Sequence, residues 1–169
     1  MKTAGVILAI AAALVVQTTL ARFVVRGTVA VDLVLVVVVY VALTSGPVTG
    51  LLAGTLGGLM QDALSSGVIG IGGLAKTVVG FLAGVVGTQF IVAQPLPRFV
   101  VFVAATILHA LIVIGLYVLL DLRQFGTPYA AVFGQSIGNA VVGVVAFQLV
   151  ELLPGAVERR RAARHRVRR

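Results

Sequence analysis

Apolar residues run along this chain in six blocks of helical length, separated by short polar or proline-containing breaks. The blocks run from Thr3 to about Val25, Val29 to Thr44, Pro47 to about Leu64, Ile69 to about Val92, Phe99 to Leu120 and Tyr129 to Leu153. A membrane-crossing helix needs about 20 mostly apolar residues, so the pattern predicts an all-α integral membrane protein with six transmembrane helices. The second block is short, yet Val31 to Val41 is almost wholly aliphatic and mostly β-branched, with one charge at Asp32. Thr44-Ser45-Gly46-Pro47 is a break because proline disfavours helix in the residue before it and suits the first turn of the helix after it. Gln94-Pro95-Leu96-Pro97-Arg98 and Asp121 to Pro128 read as further linkers, and Pro154-Gly155 is expected to stop the last helix. Two regions follow: a transmembrane domain over 1–153 and a tail over 154–169, predicted to lack fixed structure of its own. A five-span alternative, with Val29 to Leu64 as one bent crossing, would reverse the side on which the chain starts. The first block has the basic start of a signal peptide, but it is long enough to span and more such blocks follow.

Glycine changes this picture in two of the blocks. Gly46, Gly50, Gly54 and Gly58 recur every fourth residue, and Gly72, Gly80 and Gly84 do the same with Lys76 in the missing place. At about 3.6 residues per turn each set forms one stripe along a helix. In lipid, where burial of apolar surface does little to join helices, small residues at this spacing allow close packing. The stretch from Gly46 to Gly84 is therefore expected to be a packed helical pair.

Composition excludes much else. The chain is 60% hydrophobic and 11% charged, outside the range of soluble domains. It has no cysteine, which excludes disulfides and thiolate metal sites. His109 and His165 cannot form a metal site by themselves, and no cofactor is implied. There is no phosphate loop, HExxH or Ser-His-Asp arrangement, so no enzyme activity is predicted. The net charge of +8 is concentrated at the end of the chain, where seven of thirteen basic residues lie in the last eleven positions. Such a tail suits the surface of an anionic membrane, at roughly 1 kcal/mol per basic residue, and nucleic acid is not expected. Counting span-end Lys and Arg with both termini inside places Lys2, Arg98 and the tail on the cytoplasmic side. Only Arg22, Arg26 and Arg123 then lie outside, as the bias of cytoplasmic loops requires.

A few polar residues interrupt the apolar blocks. Lys76 is the sharpest, because a charge at mid-membrane costs roughly 2.5 to 3.5 kcal/mol and usually finds a partner. Asp62 is the nearest acid in sequence, so Lys76 is expected to extend toward it or toward water, as a binding site or as a paired or snorkelling lysine. Asp62, with Ser65, Ser66, Gly67 and Gly70, is expected to brace a turn by accepting from backbone donors. Gln135, Ser136 and Asn139 suit interhelical hydrogen bonds, with Gly134, Gly138 and Gly143 easing approach. His109 reads as a hydrogen-bonded membrane histidine before it reads as a proton relay. Gln17, Thr18 and Thr19 suit packing against protein.

The order of these features resembles the rod shape-determining protein MreD family. The resemblance rests on Asp32-Leu33-Val34-Leu35 leading to Tyr40, on Gly46-Pro47, on GTLGGLMQDALSSGVIG from Gly54 to Gly70, and on LAKTVVGFLAG from Leu74 to Gly84. It implies a six-helix protein of the bacterial inner membrane with both ends cytoplasmic, similar in fold to the substrate-binding subunits of energy-coupling factor transporters. It also implies partners: MreC, the glycosyltransferase RodA with its class B penicillin-binding protein, and MreB indirectly. The expected function is a non-catalytic scaffold of cell-wall elongation. The alternative is a vitamin-binding transporter subunit, for which only Lys76, Asp62, Gln135 and Asn139 offer polar lining. A lone proton-coupled transporter resting on Lys76 and His109 is the third reading.

Overall fold

The computed structural model describes residues 3–23, 31–65, 68–90, 94–122 and 129–166, with side chains left out at 20–23 and from 153 onward. Six helices form among the described residues: α1 (Thr3–Phe23), α2 (Leu33–Ser45), α3 (Pro47–Leu64), α4 (Ile71–Gln89), α5 (Pro95–Leu119) and α6 (Tyr129–Arg166). Three of them, α4, α5 and α6 as far as Leu152, are long and apolar enough to cross a membrane, while α1 and α2 carry shorter apolar stretches. The chain is an all-helical membrane protein.

The helix limits follow from local chemistry. Asp32 starts α2 later than the apolar run suggests, because its side chain accepts from the Leu35 amide as an N-cap. Pro47 and Pro95 each stand in the first helical turn, where a missing N–H costs nothing. The second of these corrects the expected start of the fifth helix: Pro95-Leu96-Pro97-Arg98 is the first turn of α5, not a linker. A second correction concerns the end of the chain. Pro154 and Gly155 do not stop the sixth helix, which continues through the basic segment to Arg166. Proline removes one ladder bond at a local cost of roughly 3 kcal/mol, and the Ala, Glu and Arg residues that follow are strong helix formers.

α2 is the axis of the bundle. It is apolar around its whole circumference, as a helix surrounded by protein must be. One side, with Val34, Val38 and Val41, meets Val6, Ile10, Ala13 and Leu14 of α1 and Ala53 of α3. The other side, with Leu35, Val36, Val39 and Ala42, meets Val79 and Ala83 of α4, Phe102 and Ala105 of α5, and Ala140 and Phe147 of α6. α3 and α4 form the tightest pair, and α5 and α6 form a second hairpin against α2 and α4.

Candidate functional site

The two glycine stripes lie face to face across the antiparallel α3–α4 pair. A Cβ on Gly50 would collide with the Gly80 carbonyl, and one on Gly80 with that of Gly50. Gly54 lies against the backbone of Lys76 and Thr77, Gly58 against Gly72 and Gly73, and Gly84 against Gly46 and Pro47. With no side chain between them, the two backbones touch along most of the hairpin. The Thr55 and Thr77 hydroxyls share a 2.8 Å hydrogen bond in the same seam. Asp62 closes its end: Oδ2 accepts from the Gly70 amide at 2.8 Å and the Gly73 amide at 3.0 Å, while Ser65 donates to the Asp62 carbonyl. Gly70 has φ +106, a left-handed conformation that suits glycine before a new helix. Ser66 and Gly67 lie outside the described residues. Gly57 against Val34, Gly87 against Leu43 and Gly143 against Phe102 are further close approaches, off the fourfold stripes.

Lys76 does not reach Asp62. Its ammonium lies 2.8 Å from Asp32 Oδ2 and 3.1 Å from His109 Nε2, and both members of the ion pair are almost fully buried. Asp62 is already committed to the backbone donors of its turn, and Asp32 stands on the axial helix that α4 faces. An ammonium can only donate, so His109 Nε2 accepts and the ring proton lies on Nδ1. The pair is neutral in sum, which is the form in which charge is tolerated inside a membrane protein.

This contact belongs to a longer network. The Asp32 amide donates to Asn139 Oδ1 at 2.8 Å, Asn139 Nδ2 donates to Thr106 Oγ1 at 3.1 Å, and Thr106 donates to the Phe102 carbonyl. Gln17 Oε1 of α1 accepts from the Val34 amide, beside the Asp32 cap on Leu35. The start of α2 is thus tied to α1, α4, α5 and α6. These bonds are needed because α2 begins beside the second turn of α4, inside the bundle, where water is not at hand to satisfy its first amides. Ser136 is buried and bonds back to Phe133, while Gln135 is half-buried and stands apart from the network.

At the other end of the bundle the buried Arg98 of α5 pairs with Glu151 of α6, and its guanidinium lies 4.3 Å from the Phe147 ring centroid. Phe147 in turn packs 4.4 Å from Tyr40 of α2. Arg98, counted above as a charge outside the spans, is therefore an internal residue. Lys2, Arg26 and Arg123 lie outside the described residues, as do the side chains of Arg22 and the tail.

Between α4 and α5 runs an apolar crevice of about 150 Å³, walled by Val79, Ala83 and Val86 on one side and Val101, Ala105 and Leu108 on the other. Lys76, Asp62, Gln135 and Asn139 do not line it.

Sequence reasoning placed Lys76, His109 and Asn139 among the candidates but left Asp32, Thr106, Gln17 and the Arg98–Glu151 pair out of the site. Asp32 carried the one available signal, an acid heading an aliphatic run.

Fold and site together define a helical membrane protein whose internal polar side chains Asp32, Lys76, His109 and Asn139 hold helices to one another. Its family follows from comparison: the chain matches the model of the rod shape-determining protein MreD over residues 1–155, and it belongs to that family. Neither a curated protein nor a solved structure matches it. The family places the chain in rod-shape determination, as a structural protein of the membrane.

Proposed function

We propose that the protein is a non-catalytic scaffold of the bacterial cell-wall elongation machinery, which acts by binding MreC and, with it, RodA and a class B penicillin-binding protein, and MreB indirectly. Membership of the rod shape-determining family over nearly the whole chain carries this reading. The internal chemistry supports it, since Asp32, Lys76, His109, Asp62 and Asn139 all engage partners within the fold. The glycines lie in the α3–α4 seam, so partner contacts fall to the outer faces of the helices. The protein is assigned to the inner membrane with both termini cytoplasmic, supported by the arginines of the tail against Arg22, Arg26 and Arg123.

Affinity purification of the tagged protein from membranes in mild detergent, followed by mass spectrometry, tests this. Recovery of MreC with wall-synthesis enzymes is expected. Recovery instead of an ATPase module with a membrane coupling subunit would replace the scaffold by a vitamin-binding subunit.

A further inference from the structure

We infer that Asp32 and His109 form a built site for a primary ammonium ion, and that the chain fills this site with its own Lys76. Three observations carry the inference. Asp32 is held rigid, since Oδ1 is fixed by the Leu35 amide and its backbone N–H by Asn139, which leaves Oδ2 directed at the ammonium. His109 supplies a neutral acceptor on another side, 3.1 Å from the same nitrogen. The cation comes from a third element, α4, and its relative exposure is 2%, so it is held away from bulk solvent. Two fixed acceptors of suitable kind, one anionic and one neutral, around a compact NH₃⁺ donor make a recognition site for that group and a poor one for a planar guanidinium.

The consequence is chemical. Lys76 is a tethered ligand, and its stem does nothing for recognition beyond delivering the ammonium. Truncation to alanine removes three carbons and the nitrogen, the equivalent of n-propylammonium, and leaves a space of that shape beside an uncompensated carboxylate. A free primary ammonium ion should enter that space, while a quaternary ion of equal charge should not, because it has no N–H to donate.

The experiment uses the full-length Lys76→Ala protein in detergent, with thermal unfolding followed against n-propylammonium chloride and, at equal concentration, tetramethylammonium chloride. The expected result is a lowered melting temperature that n-propylammonium raises saturably, by roughly 2–4 °C or more, with no such rise in tetramethylammonium. The rise should vanish in Lys76→Ala combined with Asp32→Asn. Equal responses to the two salts, or a rise that survives Asp32→Asn, would overturn the assignment. Should Lys76→Ala fail to fold in either salt, the natural site is read directly. Lys2 and Lys76 are the only lysines, so in a Lys2→Arg protein reductive methylation, read by mass spectrometry on the peptide that holds Lys76 and so apart from the α-amine, reports Lys76 as the one lysine. Resistance to labelling, lost in Asp32→Asn, supports an ammonium held in the site; labelling at the rate of a free amine overturns it.

Discussion

The α3–α4 seam and the junction at the start of α2 join helices in opposite ways. The seam works by absence: glycine removes side chains until backbones touch, and dispersion over a long contact holds the pair. The junction works by presence: an acid, a base, an imidazole and an amide meet at one point and hold the helices by a few directional bonds. A seam of glycines tolerates loss of any one polar group but no added atom. The junction has the reverse sensitivity, because removing one partner leaves another buried and unsatisfied.

This contrast can be broken from either side. The largest effect is expected from Lys76→Met, which strands the Asp32 carboxylate; breaking a buried pair typically costs 3–5 kcal/mol. Adding Asp32→Asn to it should restore most of the loss, measured as melting temperature in detergent. Without restoration, the pair would not be the unit that matters. Gly54→Leu comes next, at roughly 3 kcal/mol, the upper end for overpacking, because its Cβ would strike the Lys76 backbone. The folded fraction after extraction and the rod shape of complemented cells both report it, and a normal outcome in both would mean that the seam can open. Asn139→Leu should cost about 1–3 kcal/mol by leaving the Asp32 amide without its acceptor, read as faster hydrogen exchange at the start of α2. The smallest change is Gly115→Ala. A Cβ there meets nothing within 4 Å, so the substitution should be neutral or stabilise by up to about 1 kcal/mol. A large loss at Gly115 would show that sensitivity to added atoms extends beyond the close glycine approaches of the bundle.

The two regions also differ in how far they could be read in advance. The seam is a local pattern, since glycines four apart on adjacent blocks announce both the face and its partner. Its details off the stripe, such as Gly57 against Val34, depend on a third helix and carry no period. The junction has no pattern at all. Lys76 is conspicuous by its charge, but Asp62 lies closer in sequence than Asp32, and only the course of α2 through the bundle makes Asp32 the neighbour. Arg98 was misplaced for a related reason: beside two prolines a basic residue looks like a loop, and only the facing Phe147 and Glu151 reveal an interior place. The end of α6 was misread because proline is a local signal, weighed against the helix-forming residues beyond it only when the whole segment is considered.

The ion pair between α2 and α4 also bears on the order in which the membrane receives the chain. Ribosomes deliver Asp32 before Lys76 and His109 after both. When α4 leaves the insertion machinery with its lysine, the acid that matches it is already in the bilayer, so the roughly 2.5–3.5 kcal/mol that a lone charge would cost can be offset at that moment. The α5–α6 hairpin is synthesised last and brings His109 and Asn139 to the pair. Biogenesis is thereby given a sequence of steps, and a circularly permuted chain that presented α4 before α2 would have to insert an unescorted lysine.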